Sequence, residues 1–416
     1  MTFARTLSLC FLATLACRQS PAGVLLAPIP PGPVGDQLQS VLVRDSARFV
    51  EFRRDLHRHP EVSGSEQRTA AVVATAMRQL GLEVRTGVGG HGVVAILRGG
   101  RSGPVIAYRA DMDAVPSAAP DPVDFRSLTP GIRHICGHDL HTTIGLAVAT
   151  MMRQVRDSLT GTVVFVFQPA EERATGANAM LADNVFASPT PTAIYGLHTA
   201  PYEVGRIATT PGPMMAGRDR FEVTISGAGD LSAAADAVAA RLLTLGTIGP
   251  EQVTISQPPD FVLLQVTSRN VSGTQARLQG EVRVASAASR ARTRTAITQG
   301  LSSAVAAGIT VAGTYEPMTI AGVTNDTVLA DRAAEAAGVA LGASNVARVT
   351  TIPPAFSEDF GSFQARIPGV FFYLGVSNAS RGWVGQPHAP EYVADERAIQ
   401  VGARAMAAVL LDALSR

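Results

Sequence analysis

An apolar run from Gly161 to Phe167 constrains the fold of this chain more than any other segment. Uncharged runs of this length, rich in Val and Phe, are typical of a strand that is buried on both faces of a sheet. Thr192 to Leu197 is a second such run. Because strands of this kind alternate with helices in α/β proteins, we predict an α/β fold built on a mixed sheet.

Titratable side chains follow both runs, at the point where each strand should end. Glu171 and Glu172 follow the first run, and His198 follows the second. Since ligands bind beyond the carboxyl ends of strands in open α/β sheets, we expect these side chains to lie at one edge of the sheet. The alternatives are a solvated pair of glutamates and a hydrogen-bonded core histidine.

Potential metal ligands are concentrated between residues 134 and 141. The segment holds three histidines, one cysteine and one aspartate: His134, Cys136, His138, Asp139 and His141. Proteins seldom crowd such ligands together without a metal. A single glycine separates Cys136 from His138, so both side chains can converge on one ion. His134 and His141 either support those ligands or are only their neighbours.

These residues supply what the hydrolysis of an amide requires. Water is a weak nucleophile at neutral pH, and zinc lowers the pKa of a bound water to about 7. A free carboxylate must then take the proton and deliver it to the leaving amine. Of two adjacent glutamates such as Glu171 and Glu172, one can bind the metal while the other stays free. His388, in a loop near the single tryptophan, is a further candidate ligand.

Length and pattern predict two domains. The 416 residues are 46% hydrophobic, and a net charge of +1 argues against a nucleic-acid-binding surface. From about residue 215 the predicted elements follow the order β-α-β-β-α-β, which is typical of a ferredoxin-like unit. We predict that residues 215–322 form an inserted α+β domain, which splits a catalytic domain into residues 37–214 and 323–416.

The first 17 residues have the features of a bacterial export signal. One positive charge precedes an apolar stretch, Thr6 to Ala16, that is too short to span a membrane as a stable helix. A small residue before Cys17 suggests lipoprotein cleavage and a lipid anchor, and ordinary cleavage near Ala16 is the alternative. Residues 18–36, rich in Pro and Gly, are predicted to be a flexible tether. We expect an exported protein, either periplasmic or membrane-anchored.

Eight motifs occur in order along the chain. They are Leu56–Glu61, Arg109–Pro116, Cys136–Asp139, Pro169–Glu172, Gly196–His198, Pro211–Ala216, Ser357–Phe360 and Pro387–His388. With these motifs the chain resembles the M20 metallopeptidase superfamily, specifically its amidohydrolase branch of hippurate hydrolases, N-acyl-amino-acid hydrolases and auxin-conjugate hydrolases. The resemblance covers nearly everything from residue 49 to residue 411.

The resemblance implies a catalytic domain that holds two divalent metal ions, zinc or manganese, and an inserted domain that acts as lid and dimerisation surface. Glu171 would be the general base and acid, and Asp113 would orient a ligand. The substrate would be an N-acyl amino acid or a small peptide, and the assembly a homodimer. The implied metal ligands are Cys136, His138, Glu172, His198 and His388.

The sequence departs from the family pattern in the inserted domain. The family usually carries a histidine after the first strand of this domain, where Leu231 stands here. That histidine reaches the active site, often from the partner subunit, and helps to bind the substrate. An arginine that the family often carries after the next helix is replaced by Leu245–Gly246–Thr247. Asn270 does match the family, and we predict that it contacts substrate.

Three functions are compatible with these observations, and the third keeps the enzyme described first but shifts its substrate toward dipeptides or carbamoyl groups, which the altered inserted domain leaves open. The first is a metal-dependent amidohydrolase that uses Glu171 as its base. The second is a secreted metal-bound protein that binds acylated amino acids or peptides with weak or no hydrolysis, which the missing histidine would explain. The retained Glu171 favours the first, because a binding protein has no need of a base.

Overall fold

The computed structural model describes residues 32–415. The predicted export signal, with Cys17, and most of the predicted tether lie outside the described residues. The first helix begins at Pro33, so residues 33–36 are helical and not part of a tether. Proline suits the first position of a helix, because its φ is already helical and its missing N–H is not needed there.

Ten α-helices and sixteen strands occur in the described residues. The helices are α1 Pro33–Arg44, α2 Ser46–Arg58, α3 Gln67–Gln79, α4 His138–Gln154, α5 Gly176–Ala182, α6 Leu231–Leu243, α7 Ala287–Gln299, α8 Thr327–Leu341, α9 Phe360–Gln364 and α10 Ala398–Leu414. The strands are β1 Glu83–Val88, β2 Gly92–Arg98, β3 Arg101–Asp111, β4 Val115–Pro116, β5 Ile132–Arg133, β6 Thr160–Gln168, β7 Ala193–Glu203, β8 Ile207–Thr209, β9 Gly212–Pro213, β10 Gly217–Gly227, β11 Val262–Ser272, β12 Gln275–Val284, β13 Ile309–Ile320, β14 Thr324–Asn325, β15 Val346–Arg348 and β16 Gly369–Ser377.

The large sheet has eight strands in the order β1-β2-β6-β3-β7-β16-β8-β15. Its four central strands, β6, β3, β7 and β16, run parallel to one another. Parallel strands present their carboxyl ends at the same side of a sheet. Asp111 at the end of β3 is therefore level with Gln168 at the end of β6. This carboxyl edge positions the candidate site.

Strand β6 is buried on both faces, as the apolar run predicts. Val163, Phe165 and Phe167 belong to a core shared with α1, α3, α4, α8 and α10. Val164 and Val166 belong to a second core on the opposite face, which includes α5 and α9. Because each side chain of the strand meets an apolar layer, no polar alternation is visible in its sequence.

The second sheet has four antiparallel strands in the order β11-β12-β10-β13. With helices α6 and α7 it forms a β-α-β-β-α-β unit between residues 217 and 320, which we call the inserted unit. One face is apolar, and Phe221, Val223 and Ile225 of β10 pack there with residues of α6 and α7. The structure confirms an α/β fold with an inserted ferredoxin-like unit, while boundaries at residues 215 and 322 stay a prediction.

Two elements differ from the sequence-based expectation. Apolar residues recur at helical spacing between residues 37 and 58 and predict one helix, but the structure has two, because Asp45 leaves the helical region at φ −100° and ψ 7°. Aspartate side chains compete with the backbone for hydrogen bonds and disfavour helix interiors. Strand β7 continues past residue 197, so His198 lies within the strand and pairs with Tyr373 of β16. Between residues 32 and 415, no helix has the length and apolar character needed to cross a membrane.

Candidate metal centre

Cys136 and His138 lie side by side because a glycine separates them in a tight turn. Gly137 has φ +92°, and a Cβ atom there would come within 2.5 Å of the Tyr392 hydroxyl oxygen. Only glycine accepts both the positive φ and the close contact. Helix α4 begins at His138, directly after this turn. Both side chains are buried at the carboxyl edge of the large sheet.

His138 and His198 each have one ring nitrogen engaged and the other left for a ligand. The Nδ1 atom of His138 lies 3.2 Å from Oδ1 of Asp113. The Nδ1–H of His198 donates to the carbonyl oxygen of Thr199 at 2.7 Å, and its Nε2 lies 3.2 Å from Sγ of Cys136. Histidines that bind metals usually donate their other N–H in this way.

The two glutamates follow β6 in a strained turn. Ala170 has φ +53°, which costs a non-glycine residue on the order of 1–2 kcal/mol. This conformation turns the chain so that both carboxylates face His138. Oε2 of Glu171 and Oε1 of Glu172 each lie 3.8 Å from Nε2 of His138.

His388 approaches the same point from a separate loop. Its backbone N–H donates to the Ile135 carbonyl oxygen at 2.8 Å, which ties the loop to the segment before Cys136. Its φ is +65°, a second strained non-glycine position. Its Nε2 lies 3.4 Å from Oε2 of Glu172. Strained residues of this kind tend to occur at functional sites.

The five predicted ligands therefore come together, and they fall into overlapping sets. Ligand atoms of Cys136, His138 and His198 lie within 4.8 Å of one another, as do those of Cys136, Glu172 and His388. Among the described residues, two buried atoms of these sets, Nε2 of His138 and Oε1 of Glu172, have no hydrogen-bond partner. Buried polar atoms without partners are costly, so their convergence fits a site for divalent ions.

The electrostatics of the centre favour positive charge. Burial alone would lower the pKa of His138, but Asp111 and Asp113 outweigh it and raise the pKa to about 10. Burial and then the carboxylates of Glu172 and Glu171 raise the pKa of the Cys136 thiol well above its usual value. A nearby cation is what would convert this thiol to the thiolate that binds metals.

His134 and His141 are not among the five predicted ligands, although a ring nitrogen of His141 lies within 4.8 Å of ligand atoms of Asp111 and His138. The Thr199 N–H donates to Nε2 of His141 at 2.8 Å, so its Nδ1–H must donate to Oδ1 of Asp111 at 2.6 Å. Both nitrogens of His141 are thus engaged in fixing Asp111 and Thr199. His134 is fully buried, burial lowers its pKa to about 4, and it belongs to neither ligand set.

Asp113 also connects the ligands to a segment that sequence reasoning overlooked. Its Oδ2 accepts hydrogen bonds from the Ser63 hydroxyl at 2.5 Å and from the Glu172 N–H at 3.0 Å. Glu66, in the same segment as Ser63, accepts the Ala170 N–H at 2.8 Å. The segment therefore fixes both Asp113 and the strained turn. It follows the His-Pro-Glu motif, but nothing local in its sequence identifies these contacts.

A buried arginine beneath the centre balances several carboxylates. The Arg109 guanidinium donates to Oδ2 of Asp111 at 2.6 Å and to Oε1 of Glu358 at 2.8 Å, and its side chain is fully buried. Burial and then repulsion from Glu358 raise the pKa of Glu171 well above its usual value. The positive charge of Arg109 is thus paired with these carboxylates and does not face the pocket.

The candidate centre opens into a pocket of about 470 Å³. The inserted unit and the catalytic half both line it, through Thr254 and Ser256 on one side and Thr351 and Phe356 on the other. Asn270 does not line it, and lies instead on the exposed end of β11. Its predicted substrate contact stays a prediction. Leu231 packs in the apolar core of the inserted unit.

Comparisons with known proteins agree with this geometry. The sequence profile of Peptidase family M20/M25/M40 matches residues 107–412. The chain is 33% identical over 378 residues to an N-acetylcysteine deacetylase of Bacillus subtilis, covering 86% of this chain and 94% of the relative. It is 30% identical over 386 residues to the Arabidopsis thaliana IAA-amino acid hydrolase ILR1-like 5, covering 88% of each chain.

A solved structure gives the same picture. The Bacillus subtilis YXEP protein, described as a dinuclear metal binding peptidase from the M20 family, matches with a TM-score of 0.74 and 30% sequence identity. The match covers 90% of this chain and 99% of that protein. These relatives are hydrolases, so the alternative of a protein that only binds its ligand is not favoured.

Proposed function

The chain belongs to Peptidase family M20/M25/M40 and is a metal-dependent amide hydrolase, and from that premise we propose how its residues divide the work. Cys136, His138, Glu172, His198 and His388 would hold two divalent ions. The observation that carries this assignment is the convergence of these side chains around the unpartnered Nε2 of His138 and Oε1 of Glu172, among the described residues.

When bound, the two ions supply a water of lowered pKa and polarise the scissile carbonyl. Glu171 is the group that moves the proton, because its carboxylate faces the centre and every predicted ligand is a different residue. It accepts a proton from water and delivers it to the leaving nitrogen, as a general base and then a general acid. Asp113 holds His138 in the tautomer that leaves Nε2 free.

Zinc is the ion that the ligand set favours. A cysteine with three histidines and one carboxylate is a donor set of the kind that zinc binds in proteins. Manganese prefers oxygen ligands, which are the minority here. The test is reconstitution of the stripped protein with each ion, followed by measurement of ion content and rate.

The substrate we propose is an amide between an acyl group and an amino acid or small peptide. The named relatives act on acetylcysteine and on conjugates of an amino acid, which supports this class. The pocket volume of about 470 Å³ suits a small molecule and not a folded protein.

The deciding experiment measures amino-acid release from a panel of N-acetyl and N-benzoyl amino acids. The mature protein is loaded with zinc or manganese, and a chelator-treated sample serves as control. We expect release only from the loaded protein. Equal release with and without ions, or no release from any member of the panel, would overturn the proposal.

We also propose a homodimer, formed through the inserted unit. Strand β11 is the edge strand of its sheet: Ile248 bridges its outer edge at Leu263, and its residues from 267 to 272 are exposed. Asn270 lies on this stretch, outside the pocket of its own chain, so a substrate contact would require a second copy or a movement of the inserted unit. Sedimentation velocity tests the dimer, and Val271→Glu on the same stretch should shift it toward monomer.

We propose that the protein is exported, on the pattern of residues 1–17, and anchored if Cys17 is lipidated. Labelling of cells with a radioactive fatty acid separates the two routes. Incorporation that Cys17→Ser abolishes supports the anchor, and export without incorporation supports ordinary cleavage.

A further inference from the structure

His57 is a buried histidine of α2 with a carboxylate at each ring nitrogen. Its Nδ1 lies 2.9 Å from Oδ2 of Asp139, and its Nε2 lies 3.0 Å from Oδ2 of Asp121. A neutral imidazole has one N–H, so only the imidazolium donates to both carboxylates. Burial lowers the pKa of His57, but the bonds to Asp121 and Asp139 outweigh burial and raise the pKa. His57 therefore joins two segments as a cation, and the proposed proton transfer does not use it.

Asp139 connects His57 to the first turn of α4. It directly follows His138, and its Oδ1 accepts a backbone N–H of the same turn at 2.9 Å. The guanidinium of Arg53 also donates to Oδ2 of Asp139, at 3.0 Å. Both of these bonds would remain without His57, and Asp113 orients the His138 ring independently. The position of His138 therefore does not depend on His57 alone.

Asp121 connects His57 to the loop that carries His388. Its Oδ1 lies 3.6 Å from Nη2 of Arg133, and both side chains are largely buried. The Nη1 of Arg133 donates to the carbonyl oxygen of Pro390 at 3.0 Å. Pro390 follows His388 by two residues, and His388 holds its strained φ of +65°. Because a strained conformation persists only where surrounding contacts fix it, the position of His388 depends on this series of contacts.

Few other contacts would hold Asp121 if His57 were removed. Among the described residues, its other hydrogen bond comes from the Ser127 N–H at 3.0 Å, within the same loop. Over the same part of the chain, Oδ1 of Asp121 and Nε of Arg133 have no hydrogen-bond partner. A buried charge that loses its partner is costly, so Asp121 and Arg133 should both shift when the imidazolium is lost.

We propose that His57 is a positioning residue for His388, and therefore for the ion that His388 helps to hold. It acts through Asp121 and Arg133, which transmit its position to the loop of His388. The ion bound by the other ligand set, which includes His138, should be affected little. This inference rests on the proposed centre of two ions and assigns His57 to one of them.

The test is a titration of the stripped full chain with zinc in competition with a fluorescent chelator, which gives the affinity for each of two ions. His57→Gln removes the charge and one of the two opposed donors. We expect it to weaken one ion by about tenfold or more and to leave the other unchanged. Glu83→Gln, which removes a charge from an exposed pair with Arg98, is the control and should bind both ions as the wild type does.

A second comparison shows whether His57 acts through His388. In His388→Ala the ligand itself is absent, so adding His57→Gln should weaken ion binding no further. A merely structural role would lower the affinity for ions in both backgrounds. An effect of His57→Gln that persists in full in His388→Ala therefore overturns the inference.

Substitutions of Asp121 keep His57 in place and decide the question if His57→Gln does not fold. Asp121→Ala should weaken the same ion, and Asp121→Asn, which retains an acceptor oxygen, should recover part of the affinity. Unchanged affinity in Asp121→Ala, or equal weakening of both ions, overturns the inference and leaves the centre intact. Fewer than two ions on the wild-type protein would overturn the proposed centre and this inference with it.

Discussion

The carboxyl edge of the large sheet and the pocket-facing side of the inserted unit differ in how firmly their polar groups are held. At the edge, Asp113, His138 and His141 are fully buried; His138 is hydrogen-bonded to Asp113, and His141 is hydrogen-bonded to Asp111. On the inserted unit, Thr254 and Ser256 are exposed and neutral. The comparison indicates that the reaction depends on the carboxyl edge and the choice of substrate on the inserted unit. Substitutions in one region should therefore impair one property and leave the other.

The largest expected effect is a loss of kcat, on substitution of Glu171 at the carboxyl edge of the large sheet. Glu171→Gln should lower kcat by about 10²–10⁴-fold with unchanged ion content, because it removes the group that moves the proton. Amide hydrolysis and elemental analysis of the same samples check both statements. Glu316→Gln, an exposed glutamate of the inserted unit, is the matched control. A wild-type rate in Glu171→Gln would show that Glu171 is not the group that moves the proton.

The affinity for ions should depend steeply on pH. The raised pKa values of His138 and Cys136 mean that both hold a proton near pH 7, and an ion must displace each proton. Affinity therefore rises with pH and falls as pH decreases, by about tenfold per pH unit for each displaced proton. Calorimetric titration between pH 6 and pH 8 measures how steeply the affinity for ions changes with pH. In Cys136→Ser, the number of protons displaced on ion binding should fall by one. A flat profile would contradict the account.

Removal of the carboxylate that orients the His138 ring should have an intermediate effect on ion binding. Asp113→Ala should weaken ion binding by about 10–100-fold, because His138 then loses the carboxylate that orients its ring. Competition with a fluorescent chelator gives the affinity. Asp157→Ala, at an exposed position, should bind ions as the wild type does. Equal affinities for the two variants would show that Asp113 has no orienting role.

A substitution in the segment that contains Ser63 and Glu66 should have a smaller effect on kcat. Glu66→Ala should lower kcat about tenfold, since the strained Ala170 turn loses the acceptor of its N–H. Glu66→Gln keeps an acceptor oxygen and should recover most of the rate. Steady-state kinetics at saturating ions distinguish the pair. If Glu66→Gln were as slow as Glu66→Ala, the charge and not the hydrogen bond would matter.

The smallest effect is expected in the inserted unit and concerns stability. Leu231→His places an imidazole in an apolar core and should lower the free energy of unfolding by about 1–3 kcal/mol without any gain in rate. Leu231→Met, which preserves volume, should cost less than about 1.5 kcal/mol. Urea unfolding compares the two. A faster enzyme with unchanged stability would mean that position 231 reaches the pocket.

Local pattern was enough to predict part of this molecule. The apolar run of β6 identified a strand buried on both faces, because such burial removes polar residues from consecutive positions. The spacing of Cys136 and His138 likewise pointed to a shared site, since one glycine between them leaves both side chains free to converge. Both inferences concern residues that are close in sequence.

Contacts between distant segments could not be predicted in the same way. Glu358 pairs with Arg109 across 249 positions, and Glu66 meets Ala170 across 104 positions, so only the sheet order brings them together. Strands β8 and β15 have three residues each, which is too short for any periodicity. The apolar spacing runs through the break at Asp45, so periodicity alone did not show it.

A titration of the stripped protein with cobalt(II), followed by absorbance, tests the central claim most directly. The account predicts a break point at two ions per chain and a near-ultraviolet thiolate-to-cobalt band that disappears in Cys136→Ser. Retention of the band in that variant, or saturation with fewer than two ions, would contradict a centre built from Cys136, His138, Glu172, His198 and His388.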